Sequence, residues 1–271
     1  MSKLIQDISI VGLGWLGLPL YTELTQLGYS CIGTTTSKAK QTALEKDHIS
    51  AFYLELLEDE TLGEIQESLN SKLLILNKPP GLRKNPQSNY ISKIENFISH
   101  IEQSAIEKML FISSTSVFKD EDTFPEVFNH TTPNSETNAG LQISNVEKLL
   151  QENTKFKTTI LRFSGLVNSE RHPARMMSKR LQVKNPNAPV NLIHQKDCIG
   201  LISKLITRNI WGETYNASFP SHISKKEYYD SVCHQFNISK PNFDMDSPSR
   251  GKRINGVETS KVLNYKYEYP I

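Results

Sequence analysis

Residues 8–38 read ISIVGLGWLGLPLYTELTQLGYSCIGTTTSK. An apolar run, Ile8–Val11, leads into Gly12-x-Gly14-x-x-Gly17, and an amphipathic run, Leu16–Leu27, follows at once. Gly28 is placed to end that helix in the left-handed conformation that glycine adopts cheaply. A second apolar run, Ser30–Thr34, comes next. Strand, glycine turn, helix and strand in this order predict a βαβ unit. The three glycines play different parts. Gly12 permits the tight turn, Gly14 lets the backbone approach a pyrophosphate, and Gly17 allows close helix–strand packing. The helix N-terminus adds amide donors and the positive end of a dipole. The stretch predicts a dinucleotide held on Gly12, Gly14, Trp15, Leu16 and Gly17.

The end of the second strand speaks to which dinucleotide. A free ribose 2′-hydroxyl is usually held there by an Asp or Glu. This chain has none between Glu23 and Glu45. Thr35, Thr36, Ser37 and Lys38 offer hydroxyls and a cation that suit a 2′-phosphate, which favours NADP over NAD. The alternative is that Ser37 caps the following helix and Lys38 is solvated.

Outward from this stretch the alternation continues. Strands are expected at Ala51–Leu54, Leu73–Leu76 and Met109–Ile112, and helices at Lys38–Lys46, Thr61–Leu69 and Gln87–Ser104. Residues 119–136 read as a polar surface loop. A helix is expected in NAGLQISNVEKLL (138–150) and a buried strand in KTTILRFSGLV (157–167). Further on, helices are expected near Ala174–Leu181, at Cys198–Thr207 and at Lys225–Phe236. A segment at Val190–His194 and a strand at Glu213–Ala217 complete the pattern. The fold expected is α/β, a doubly wound parallel sheet of the Rossmann type with a smaller C-terminal substrate-side lobe. The boundary falls near residue 165: a dinucleotide-binding domain over 1–165, then a region over 166–271, part of which returns to the sheet.

A formal net charge of +2 with scattered Lys and Arg gives no nucleic-acid or membrane-surface signature. The three cysteines, Cys31, Cys198 and Cys233, form no Cys-x-x-Cys and read as buried free thiols. No metal-ligand spacing occurs. The N-terminal residues lack a signal-peptide pattern and no apolar stretch has transmembrane length, so a cytoplasmic protein is expected.

Several segments in order resemble the short-chain dehydrogenase/reductase superfamily, in its extended or atypical branch of NAD-dependent epimerases and dehydratases. They are VGLGWLG (11–17), LLILNKPPG (73–81), MLFISSTSVF (109–118), ILRFSGLV (160–167), RHPARMM (171–177), VNLIHQKDCIGLI (190–202) and GETYNAS (212–218). The resemblance spans nearly the whole chain. It implies that the loop Asn77, Lys78, Pro79 runs beside the cofactor, and that Ser114 hydrogen-bonds the reacting oxygen. In that family a Tyr-x-x-x-Lys pair, one helical turn apart, moves the proton on the next helix. Set against AGLQISNVEKLL without a gap, the tyrosine position falls on Ala139 and the lysine position on Ile143.

Other groups could then do the chemistry. Ser113, Ser114 and Thr115 end a strand where ligands bind in open α/β sheets, with an ordinary strand cap as the alternative. His172 could serve as an acid/base and Arg171 could hold an anion. The alternative there is a cluster capping its own helix, and Asn168-Ser169-Glu170 replaces the Gly-Pro-Gly that the family often shows. Asp197 reads as an N-cap and His194 as a structural hydrogen-bonder. Two functions are expected: an NADP-linked oxidoreductase or epimerase/dehydratase-like enzyme using Ser114 and His172, or a catalytically weak dinucleotide-binding sensor. NAD stays possible as the cofactor. A small-molecule substrate is implied, a nucleotide-sugar by family analogy, and nothing in the sequence sets the oligomeric state.

Overall fold

The computed structural model describes residues 4–271. Its first elements are β1 (Gln6–Val11), α1 (Gly17–Gln26), β2 (Cys31–Thr35), α2 (Lys38–Lys46), β3 (Ala51–Leu56), β4 (Thr61–Gly63) and α3 (Ile65–Ser68). There follow β5 (Ser71–Leu76), α4 (Tyr90–Ile101), β6 (Lys108–Ser114), a 3₁₀ turn (Thr115–Val117), β7 (Glu126–Val127), α5 (Asn138–Glu152) and β8 (Lys157–Phe163). The last are β9 (Gly165–Val167), α6 (Pro173–Met177), β10 (Leu192–His194), α7 (Gln195–Thr207), β11 (Thr214–Ala217), α8 (Lys225–Gln235), β12 (Arg253–Ile254) and α9 (Gly256–Leu263).

The chain divides into two compact units. One holds the described residues up to Val117 together with Glu136–Arg162 and Leu205–Tyr215; the other holds Phe118–Ser135, Phe163–Lys204 and Asn216–Ile271. An eight-stranded sheet runs in the order β11-β8-β6-β5-β1-β2-β3-β4. Strands β3, β2, β1, β5 and β6 pair in parallel, and β4 joins β3 antiparallel. The central strands are near-continuous apolar runs because helices cover both faces of such sheets: Ile8, Ile10, Leu74, Ile75, Leu76, Met109 and Leu110 are almost fully buried. From β1 the chain winds one way through β2 and β3, then returns to lie beside β1 as β5 and winds the other way. The carboxyl end of β1 is therefore the point where strand order reverses, the usual ligand crevice of such a sheet.

Thr61–Leu69 is not the helix expected. Thr61 and Leu62 pair with Leu56 and Glu55 as an edge strand, and Gly63, at φ +112°, turns the chain before a single helical turn. Glu64 secures the turn by accepting from the Tyr53 N–H (2.9 Å) and from Gln41 (2.8 Å). The strand expected over 157–167 is two strands, since β9 leaves the large sheet and pairs with β10.

In the second unit, α6 and α8 pack Ala174, Met177, Tyr228, Val232 and Cys233 around Val183 and Val190. Here α6 ends at Met177, short of the expected Leu181. The loop over 119–136 contains β7, which pairs with the distant β12. Helix α9, capped by Asn255 and closed by the left-handed Asn264, was not expected. Asp197 is no N-cap: α7 starts at Gln195, and the fully buried Asp197 carboxylate accepts from Tyr265 Oη (2.8 Å) and the N–H groups of Glu268 and Tyr269. It ties down the C-terminal segment. His194 does hydrogen-bond structurally, accepting the Lys196 N–H on Nδ1 (3.2 Å) and stacking on Tyr269.

Candidate functional site

The turn after β1 is built by its neighbours. Gly12, at φ +103°, donates its N–H to Thr34 Oγ1 (3.1 Å), and Leu13 donates to the Thr34 carbonyl (2.7 Å). Gly12's own carbonyl accepts from the Gly14 N–H (2.8 Å) and from Asn77 Nδ2 (3.1 Å). A Cβ at Gly12 would stand 2.7 Å from the Asn77 carbonyl oxygen, and one at Gly17 would collide with the Gly12 carbonyl oxygen. At Gly14 a Cβ would meet nothing within 4 Å. Two of the glycines are thus required by the fold, and the third faces open space. The N-cap of α1, Leu16, supplies no side-chain bond, and the first turn carries no acid. By contrast α2, α4 and α5 are capped by Ser37, Asn89 and Thr137.

A cleft of about 280 Å³ opens at this point in the first unit. It is lined by Val11–Gly14, Thr34–Ser37, Lys40, Leu54, Leu56 and Asn77–Pro79. Of the residues read from the sequence, it brings together Gly12, Gly14, Thr35, Thr36, Ser37, Asn77, Lys78 and Pro79. Trp15, Leu16, Gly17, Lys38 and Ser113 are not among its lining.

Ser37 caps α2, accepting the Lys40 N–H (3.3 Å). Lys38 extends over the Tyr53 ring, 5.5 Å from its centroid. Lys40, which sequence reasoning passed over, reaches the cleft and donates Nζ to the Leu13 carbonyl at 2.5 Å. A signal was present: three residues after a helix cap, a side chain tilts back toward the helix N-terminus and so toward the strand ends.

At the end of β6, Ser113 is buried and donates Oγ to Glu147 of α5 at 2.5 Å. Glu147 is also buried and accepts from Arg162 Nε (2.8 Å) and Nη2 (2.6 Å). The half-buried Ser114 accepts the Ser116 N–H on Oγ (3.2 Å), which leaves its own hydrogen to be donated. Ala139, Ile143 and Glu147 follow one another at helical spacing on α5, and Ile143 is 5% exposed.

Ser114 belongs to the first unit and His172 to the second. His172 is the N-cap of α6: Nδ1 accepts the Ala174 N–H (3.2 Å) and Nε2 meets Tyr228 Oη at 2.8 Å. That pattern assigns the ring proton to Nε2. Burial, with Arg175 nearby, holds the ring's pKa below its ordinary value, so it is neutral near pH 7. Burial pushes the Tyr228 phenol up as well. The Arg171 N–H is held by Asn168 Oδ1 at 2.7 Å. Cys31, Cys198 and Cys233 are free and buried, with burial raising each thiol pKa. Among the described residues no helix is long and apolar enough to cross a membrane.

Comparison with solved structures gives matches along almost the full length. The UDP-glucuronic acid 4-epimerase of Bacillus cereus, in complex with NAD, superposes with a TM-score of 0.78 at 16% identity, covering 97% of this chain and 92% of that one. MoeE5 in complex with UDP-glucose and NAD gives 0.77 at 14% identity, covering 98% and 94%. The fold is that of the NAD-dependent epimerases and dehydratases. It is the fold that the sequence resemblance implied. Among curated proteins, YeeZ of Escherichia coli K12 is 29% identical over 273 aligned positions, spanning 98% of this chain and 97% of YeeZ. No protein-family model matches the chain.

Proposed function

We propose that the first unit binds a nicotinamide dinucleotide across the carboxyl end of β1, NADP(H) ahead of NAD(H), and that the protein is an oxidoreductase or epimerase/dehydratase-like enzyme. The observation that carries this is the glycine turn: two positions have no room for a Cβ and the third, Gly14, opens into the cleft. The segment that follows Gly14 into α1 would hold the diphosphate with backbone amides, since those of Gly12, Leu13 and Gly14 already donate to Thr34 and Gly12; Leu54 and Leu56 would offer apolar surface to the adenine, and Asn77 would brace the turn. Among the described residues lining the cleft there is no carboxylate, while Thr35, Thr36 and Lys40 offer donors for a 2′-phosphate. Such a cofactor supplies hydride transfer when bound. Ser114 would donate its hydrogen to the reacting oxygen of a small substrate, a nucleotide-sugar by analogy with the epimerases of the same fold.

A second reading, a catalytically weak dinucleotide sensor, is favoured by the face of α5. The gapless alignment puts Ala139 and the buried Ile143 where the family's proton-transfer pair would stand. His172, the remaining acid/base candidate, has both ring nitrogens engaged within its own unit. One experiment separates the readings: NADPH oxidation across a panel of carbonyls and nucleotide-sugars by wild type, His172→Ala and Ala139→Tyr/Ile143→Lys, with melting curves alongside. A positioned acid/base is worth about a hundred- to ten-thousand-fold. Fast wild-type turnover abolished in a folded His172→Ala supports the enzyme with His172 as proton donor. Turnover that is slow in wild type and rises in the folded double variant supports the weak binder. Wild type that binds neither NADPH nor NADH rejects both.

A further inference from the structure

The positive charge that is scattered along the chain as a whole is concentrated in one run. From Arg171 to Lys196 there are six lysines and arginines and no aspartate or glutamate. All six are exposed, and Arg171, Arg175, Lys179, Arg180 and Lys184 follow one another closely on α6 and its flanks.

The fold of the second unit holds this run outward. Helix α6 packs Ala174 and Met177 into the core against α8, which leaves Arg175 and Met176 on its outer side, Met176 63% exposed. The chain then makes a braced turn. The Arg180 N–H is on the Met177 carbonyl (2.9 Å), and the Asn242 backbone holds both the Arg180 carbonyl (3.1 Å) and the Val183 N–H (2.8 Å). Gln182 sits at φ +51° inside this turn. Leu181 is thereby presented to solvent, 79% exposed, on a backbone fixed on both sides. Lys225, at the start of α8, donates Nζ to the Lys184 carbonyl (3.0 Å) and adds a further ammonium. Burial first, then Arg180, holds its pKa below the ordinary value. The carboxylates bordering the run are Glu170, just before it, and Asp244 and Asp246, on the segment that pairs with Val183. Asp230 of α8 is taken by Lys226 (2.8 Å).

Cations alone suit any polyanion. Two long apolar side chains held rigidly among them suit a boundary that is anionic at its surface and apolar beneath. We propose that this face of the second unit docks on an anionic lipid bilayer, its cations on the headgroups and Met176 and Leu181 in the layer below. Each lysine or arginine at such a surface is worth about fivefold in affinity, and salt screens it. Burial of the Met176 and Leu181 side chains adds about tenfold apiece. The docking uses no residue of the cleft in the first unit, so it stands or falls independently of the dinucleotide reading.

The test is co-sedimentation of the full chain with vesicles of phosphatidylcholine, with and without phosphatidylserine, over a range of salt. Wild type is expected to bind only the phosphatidylserine vesicles, and to release them as salt rises. Lys179→Gln/Arg180→Gln/Lys184→Gln should bind them about a hundredfold more weakly. Met176→Ser/Leu181→Ser should lose about tenfold or more while keeping the salt dependence. All five side chains are exposed, so both variants should melt as wild type does. Wild type that ignores phosphatidylserine vesicles at low salt overturns the proposal whatever the variants do, as does equal binding to phosphatidylcholine alone. Undiminished vesicle binding by either folded variant also overturns it. Heparin, a soluble polyanion with no apolar layer, gives the last contrast. Met176→Ser/Leu181→Ser should keep the wild-type affinity for heparin, and an equal loss on heparin and on vesicles overturns the lipid assignment.

Discussion

The three glycines separate fold from ligand, and substituting them one at a time tests that separation. Gly12→Ala forces an L side chain into a positive-φ backbone at about 1–2 kcal/mol, and its Cβ meets the Asn77 carbonyl oxygen at 2.7 Å. Gly17→Ala drives a Cβ into the Gly12 carbonyl oxygen, so α1 must lift from β1, an overpacking cost of about 1–3 kcal/mol. At roughly 2–4 °C per kcal/mol for a chain of this size, both should melt several degrees early. Gly14→Val meets no protein atom, and exposed substitutions of that kind stay within about 0.5 kcal/mol. Its side chain instead occupies the approach to the turn amides. Loss of two charge-assisted bonds at about 1.5–3 kcal/mol each weakens binding by at least about a hundredfold. Thermal melts and fluorescence titration with NADPH read both effects. A Gly14→Val protein that melts normally and binds NADPH as wild type does would refute the reasoning, as would a Gly12→Ala protein of undiminished stability.

Lys40→Ala should bring NADPH affinity down toward that of NADH while Lys38→Ala, whose ammonium lies over Tyr53, changes neither; a preference lost only in Lys38→Ala reverses the assignment. Glu147→Gln should cost about 3 kcal/mol in urea melts, since it leaves Arg162 buried beside a neutral partner; a loss under about 1 kcal/mol contradicts this. Burial, assisted by Arg175 and Arg253, holds His172 and His222 below 6.5, and burial does the same for His194. The unfolded chain therefore binds more protons just below 6.5. Stability is full above 6.5 and declines as pH falls through the lowered native values. Urea melts between about pH 5 and 7.5 should show that slope, made shallower by His172→Asn, which retains a helix cap without the titrating ring.

What the sequence displayed well was whatever is encoded locally. The α2 bounds, Lys38–Lys46, match the expectation at both ends, because a serine cap and a clear period mark them. Strands β3, β5 and β6 each carry an unbroken apolar run of four residues or more, and β1 is broken only by Ser9. Misreadings arose where distant chain decides. Thr61–Gly63 has helix-like apolar spacing, yet it pairs with β3 because Glu64 and a positive-φ glycine hold the turn there. β7 and β12 are two residues each and exist only through each other. Asp197 looks like a cap until the chain's last residues fold onto it.

At the cleft the same division applies with a sharper consequence. Gly12 and Gly17 were legible because neither site has room for a Cβ, and Gly14 because it leaves the approach to the turn open. The cations were only half legible, because composition places a lysine near β2 but side-chain direction decides which one enters. Lys38 and Lys40 are two residues apart on a helix and so point to different faces. Only the one three residues beyond the cap turns back toward Leu13. Catalytic capacity was the least legible, since it depends on which polar groups the fold has already used. Ser113 and Ser114 are adjacent and chemically identical, but Ser113 gives its hydrogen to a buried carboxylate while Ser114 receives one from a backbone amide. A substrate oxygen at this strand end would therefore compete with Glu147 for Ser113, but could accept from Ser114 without breaking a bond. That asymmetry, rather than the serine-rich composition, singles out Ser114.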